Sequence, residues 1–149
     1  MSAIFREAVR EDVPVIVSML ADDVLGAGRE GSDNAPYLTA FDAMQTEAGN
    51  ILIIGEQDGE IVATYQLTFI SGLSLKASRR AQIESVRVAA SARGQGVGTQ
   101  LIADAEERAR AAGCSLIQLT SNKSRDRALE FYQGLGFTPS HIGFKRGLE

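Results

Sequence analysis

The sequence predicts an α/β fold, a mixed central sheet flanked by helices. Three observations predict it. Residues 50–88 hold apolar, β-branched runs broken by turn residues, the pattern of an antiparallel meander. A glycine-rich stretch, Arg93-Gly94-Gln95-Gly96-Val97-Gly98-Thr99, joins the last of these runs to a long helical pattern. Beyond that helix the chain alternates again between strand, helix and strand.

Taken in order, Ile4 to Val9 reads as a first strand. Asp12 is placed to cap the next helix, with Pro14 tolerated in its first turn. Val13, Ile16, Val17, Leu20 and Val24 fall on one apolar stripe at helical spacing. The stretch Gly26 to Ala35 has the composition of a loop, either a plain surface connection or a segment bordering a substrate. Pro36 starts a second helix, on which Tyr37, Phe41 and Met44 share a face. Asn50 to Gln57 and Glu60 to Ile70 are strands, and Asp58-Gly59 between them is a strong hairpin signal. Gly72 to Ser78 connects to a further strand, Arg79 to Val88.

The helix from Val97 to Ala112 presents Val97, Leu101, Ala105, Ala109 and Ala112, a small-residue stripe suited to close packing on a sheet, and Gly113 ends it. Ser115 to Thr120 is expected to be a buried strand. A last helix opens at Ser124 or Asp126 and runs through Gln133, with Ala128, Leu129, Phe131, Tyr132 and Leu135 on its apolar side. Ile142 to Leu148 is expected to supply a final strand. The resulting order is β-α-α-β-β-β-α-β-α-β. Nothing marks an internal repeat or a boundary, so residues 1–149 are expected to form a single domain.

The glycine loop is the most informative stretch. Residues without a Cβ let the backbone turn sharply and approach a ligand, and amides at a helix N-terminus favour an anion. A phosphate-binding P-loop would end in Gly-Lys-Ser/Thr, but Thr99 and Gln100 follow Gly98. That absence removes a nucleotide-dependent kinase. A dinucleotide fingerprint would need a glycine where Thr99 stands. The remaining pattern is Arg/Gln-x-x-Gly-x-Gly/Ala, met by Arg93, Gly96 and Gly98. The plain alternative is a glycine-rich turn with no ligand.

This pattern resembles the signature of the GCN5-related N-acetyltransferases (GNAT family), in which the loop holds the pyrophosphate of acetyl-CoA. A second segment, Ala128-Leu129-Glu130-Phe131-Tyr132-Gln133-Gly134-Leu135-Gly136-Phe137, is similar to the family's Ala-x-x-Phe/Leu-Tyr-x-x-x-Gly-Phe. The element order matches as well, so the resemblance covers nearly the whole chain. It implies that Arg93, Gly94, Gln95, Gly96, Val97, Gly98 and Thr99 cradle the cofactor. It also implies that the strand ending at Val88 splays from the one after the glycine helix, leaving the main chain of Val86 and Val88 to meet the pantetheine arm and the thioester.

Acetylation of an amine poses two proton problems. An ammonium must lose a proton before it attacks, and a departing thiolate leaves more readily when protonated. By the same resemblance, Glu84 is assigned as general base and Tyr132 as the acid toward sulfur. The plain alternatives are an ion pair of Glu84 with Arg80 or Arg87, and a core tyrosine with its hydroxyl at the surface. Simple alternation would put Glu84, Val86 and Val88 on one side of the strand and Ile83, Ser85 and Arg87 on the other. Both sides then carry a charge, which suits a bulged strand. Where many family members carry an asparagine touching the CoA arm, this chain has Arg125, and its nearest asparagine is Asn122. Arg125 is assigned to a phosphate or an acidic substrate group, or to solvation of the helix start; Asn122 to the cofactor or to turn chemistry.

Composition narrows the rest. A net charge of -4 argues against a broad nucleic-acid footprint. One cysteine and one histidine, Cys114 and His141, leave no basis for a Cys/His zinc site, and no metal is expected. Cys114 lacks a neighbouring base, so direct transfer in a ternary complex is preferred to a covalent thiol route. No apolar run reaches the length of a membrane span and the start lacks a secretory core, so a cytoplasmic protein is expected. The committed reading is an acetyl-CoA-dependent N-acetyltransferase acting on a primary amine, of a small molecule or a protein. The rival is a non-catalytic acetyl-CoA-binding regulatory module. A homodimer is implied by family analogy alone.

Overall fold

The computed structural model describes residues 2–22, 30, 31 and 33–149. A five-stranded sheet with the order β1-β2-β3-β4-β5 forms the centre. Its strands are β1 (Ile4–Glu7), β2 (Asn50–Gln57), β3 (Glu60–Ile70), β4 (Arg80–Val88) and β5 (Leu116–Leu119). The first four are antiparallel neighbours, whereas β5 runs parallel to β4. A parallel neighbour requires a crossover, which α4 (Val97–Ala111) supplies. The other helices are α1 (Val13–Ala21), α2 (Ala35–Thr46), a four-residue turn α3 (Ser74–Ala77), and α5 (Asp126–Gly134).

Two apolar layers hold the sheet. On one face α4 lays Val97, Leu101, Ala105 and Ala109 against Ile53, Tyr65, Leu67, Ala81 and Ile83. The predicted stripe is therefore the buried one. Its small residues let helix and sheet approach closely. On the other face α1 and α2 place Val13, Ile16, Val17 and Phe41 against Ala8 and Ile54. Val24 and half of the Gly26 to Ala35 loop, residues 26–29 and 32, lie outside the described residues, while Glu30 and Gly31 both bond to the Tyr37 hydroxyl.

Polar contacts pin the layers. The Tyr65 hydroxyl, buried under α4, donates to Asp104, which also accepts from Arg108 at 2.8 Å. Arg108 in turn donates to the Phe5 carbonyl, and the Ala3 amide to Gln100, so β1 is tied to α4. Asp12 differs from its expected role. Its carboxylate does not cap α1 but accepts from the Val9 amide at 2.8 Å and from Arg6, which also reaches Glu56. A short 3-10 turn over Arg10–Asp12 precedes the helix and lets the chain turn there instead.

The hairpin at Asp58-Gly59 forms as predicted, with φ of 52° and 80°, the backbone of a tight two-residue turn. Two expectations fail toward the C-terminus. Ser115 to Thr120 yields a strand only over Leu116–Leu119, and none of its residues is buried, because no helix covers it fully. Residues 137–149 form no strand, and Ile142, Phe144 and Leu148 are exposed. Alternating apolar residues suffice to suggest a strand, but a strand exists only where a neighbour accepts its hydrogen bonds.

Candidate active site

The site is built where β4 and β5 part. Their pairing covers Arg80 to Ile83 against Leu116 to Leu119 and ends there, while β4 continues to Val88. The expected separation is thus present, and residues 84–88 of β4 have no strand on the β5 side. On its other edge β4 remains paired to β3, with a register shift. Gln66 faces Glu84 and Thr64 faces Arg87, so Ser85 and Val86 together oppose Tyr65. Ser85 carries the extra residue at φ 55°, a left-handed conformation that serine adopts only where the surroundings impose it.

The bulge resolves the failed alternation. Past it, Val86 and Val88 pack into the layer under α4 with Ile83, and Arg87 is returned to the face of Glu84. Both carbonyls of the valines accept guanidinium bonds, that of Val86 from Arg87 at 2.9 Å and that of Val88 from Arg93 at 3.2 Å. Glu84 is exposed and makes no hydrogen bond or ion pair with a described residue. The ion pair with Arg80 or Arg87, its plain alternative, is not formed.

Beyond β4 the chain makes a 3-10 turn at Ala90–Ala92 and then the glycine loop. Gly94 and Gly96 have φ of 78° and 80°, with open space where a Cβ would stand, so it is the backbone path that requires glycine. The Arg93 amide donates to Ala90 and the Gln100 amide to Gly96, but the amides of residues 94–99 donate to no acceptor among the described residues. They gather at the positive end of α4, a helix with no side-chain cap and no acidic residue in its first turn. Such a concentration of donors fits a diphosphate. Gly98 differs from its neighbours. A Cβ there would lie 3.2 Å from the tip of the Phe131 ring, so Gly98 lets α5 dock on the first turn of α4.

That docking carries Tyr132 to the same end of the sheet. Its ring meets Phe131 and Phe137 edge-on at 5.2 and 5.9 Å between centroids. Burial pushes its hydroxyl pKa up, while Arg87 and Arg125 pull it back. Both guanidiniums therefore act on that hydroxyl. Asn122 is taken up by the turn before α5, its carbonyl oxygen accepting from the amide and the hydroxyl of Ser124. Cys114 is half-buried and free, following Gly113 at the end of α4, and His141 bonds only to the neighbouring Ser140.

One wall was not foreseen. A cleft of about 610 Å³ opens between α1 and the ends of β3 and β4, lined by Val15, Ser18, Met19, Asp22, Ile61 and Val88 among others. Asp22, at the end of α1, stands 4.0 Å from Arg93. Helical periodicity marks the core-facing side of α1, whereas this wall uses the adjacent side, where Val15 is 44% exposed. An exposed valine beside a buried methionine is the signal available in the sequence, and it is faint. Among the described residues no group of three His, Cys, Asp or Glu could hold a metal, and no helix is long and apolar enough to cross a membrane.

Known proteins similar to this chain include acetyltransferases. The profile of the Acetyltransferase (GNAT) family matches residues 18–137. An aminoalkylphosphonate N-acetyltransferase of Salmonella typhimurium is 37% identical over 143 residues, which are 96% of this chain and 90% of that protein. A thialysine N-epsilon-acetyltransferase of Bos taurus is 34% identical over 82 residues, 55% of this chain and 48% of that protein. The crystal structure of a transcriptional regulator from Bacillus halodurans superposes with a TM-score of 0.94 at 45% identity, covering 98% of this chain and 99% of that one.

Proposed function

The chain belongs to the GNAT acetyltransferase family, and from that premise we propose that it transfers the acetyl group of acetyl-CoA to a primary amine by direct attack in a ternary complex. The observation that carries this reading is the row of unused amides over residues 94–99 beside the open edge of β4. A diphosphate fits the first and an extended amide-bearing arm fits the second. Relatives named for acetylating an aminoalkylphosphonate and the epsilon amine of thialysine support an amine acceptor.

Acetyl-CoA supplies the activated acyl group as a thioester. The amides of residues 94–99 hold its diphosphate, and Arg93 adds a positive charge at the rim. The main chain of Val86 and Val88 pairs with the pantetheine arm, satisfying β4 groups that lack a strand partner. Glu84, exposed and uncommitted, takes a proton from the acceptor ammonium, directly or through water, and the free amine attacks. Tyr132 gives its hydroxyl proton to the sulfur as the carbon–sulfur bond breaks. Burial keeps that hydroxyl protonated across neutral pH, as an acid requires. Asn122 and Arg125 line the approach to the arm. The chain works in the cytoplasm and needs no metal.

Thiol release from acetyl-CoA over a panel of primary amines tests the reading. Glu84→Gln should lower kcat/KM most at low pH, where the acceptor is mostly protonated, and the deficit should shrink as free amine accumulates. A loss uniform across pH would move Glu84 to a structural role. Tight acetyl-CoA binding by calorimetry with no turnover on any amine would favour a regulatory module instead.

A further inference from the structure

The bulge at Ser85 does more than admit a ligand. Regular alternation would bury Arg87 beside Ile83. The extra residue instead returns it to the face that carries Glu84, opposite Thr64 as Glu84 is opposite Gln66. One face of the strand therefore presents an anion and a cation three positions apart, a separation of roughly 10 Å or less at about 3.3 Å per residue. The two do not neutralise each other, since Glu84 makes no ion pair with a described residue.

We propose that the acceptor carries an anionic group, a carboxylate or a phosphonate, beside its amine, and that Arg87 holds this group while Glu84 faces the ammonium. The inference rests on the acetyltransferase reading above and adds the substrate class. A guanidinium presents a planar fork of donors that matches such an oxyanion in two parallel bonds. Arg87 is half-buried and also acts electrostatically on the Tyr132 hydroxyl together with Arg125, so it stands near the proposed acid. The overall charge of -4 supplies no general attraction for an anion. Selection for an anionic acceptor must then be local, and Arg87 is the cation on the acceptor-facing side of β4 past the bulge.

The test compares aminoethylphosphonate, β-alanine, propylamine and diaminopropane as acceptors, for the wild type, Arg87→Gln and Arg87→Lys, with folding checked by thermal melting. The wild type should favour the anionic acceptors over propylamine by roughly 10- to 100-fold in kcat/KM, the scale of a charged hydrogen-bonded contact. Arg87→Gln should erase that preference, lowering kcat/KM for the anionic acceptors far more than for propylamine, and Arg87→Lys should restore part of it. The ratio of phosphonate to β-alanine distinguishes the two oxyanions. A wild type that prefers propylamine or diaminopropane overturns the proposal, as does an Arg87→Gln variant that loses all acceptors equally. Calorimetry of the CoA-loaded protein with each acceptor separates the two readings. Arg87-dependent binding of the anionic amines without turnover keeps the substrate class and removes the acetyl transfer; turnover without anion preference does the reverse.

Discussion

The centre of the sheet and its β5 edge are built to different standards. In β2 and β3, Ile53, Ile54, Ala63, Tyr65 and Leu67 are fully buried, and each strand has a partner on both sides. In β5 and α5 no residue is buried, β5 is a four-residue edge, and Leu129 is 46% exposed. Yet α5 carries Tyr132, and the parting of β5 from β4 leaves residues 84–88 of β4 open on that side. Local stability follows buried contact, so the first region is a platform and the second is held by few interactions. A ligand spanning both would add the contacts that the second region lacks.

Substitutions that separate chemistry from stability should sharpen that contrast, and Tyr132→Phe should show the largest effect. It removes one hydroxyl and keeps the ring between Phe131 and Phe137. The expected result is a fall in kcat of roughly 10²–10⁴ with an unchanged melting temperature, read by steady-state kinetics and melting on the same sample. An unaltered kcat would remove the proton donor from the mechanism. The next pair compares the two regions directly. Ile53→Ala on β2 should cost about 2–5 kcal/mol in denaturant unfolding, and Leu129→Ala on α5 less than about 1 kcal/mol. Equal losses would mean that α5 is part of the platform after all.

How much of this could be read beforehand divides along the same line. The meander, the hairpin at Asp58-Gly59, the stripe on α4 and the glycine loop were legible because each depends on local backbone preference or a single period. The bulge was legible as a contradiction, since no flat strand suits Glu84, Val86 and Arg87 together. What failed depends on distant neighbours. Asp12 has the chemistry of a cap, but Arg6 on β1 and the Val9 amide claim it. Ile142 to Leu148 has the alternation of a strand, but no described strand pairs with it. The segment before β4 also escaped notice. There Leu75, Lys76 and Ala77 all adopt φ near 55–60°, in a left-handed turn that no glycine announces. Any side chain at Gly96 strains the backbone at φ 80°, so loss of cofactor affinity in such a variant would mix steric block with distortion.

The smallest expected effect is at the platform's rim and depends on pH. The hydrogen bond from Arg6 lowers the Asp12 pKa, helped by the Val9 amide and opposed by burial. A carboxyl held low in the folded state contributes stability that is complete above its unfolded pKa of about 3.9 and is lost as pH falls toward the folded value. Asp12→Asn should therefore melt lower at neutral pH and show a shallower decline below about pH 4. Melting curves of the two proteins that stay parallel through that acid range would show that the pair is not coupled to folding.

Phe131 over Gly98 has a mechanical consequence. The first turn of α4 holds part of the proposed cradle, and the residue after Phe131 is the proposed acid, so one ring-on-backbone contact would set the distance between the two ends of the proposed cofactor site. A methyl at position 98 would have to push something aside. Because α4 is anchored by a buried stripe and α5 is not, α5 is the part that yields. Displacement by a few tenths of an ångström would leave the protein folded and melting normally while setting the hydroxyl out of step with the sulfur. On the proposed mechanism the spacing of the site is thus set in part at Gly98, away from the atoms that react, and an error there would register as slow chemistry in a sound protein.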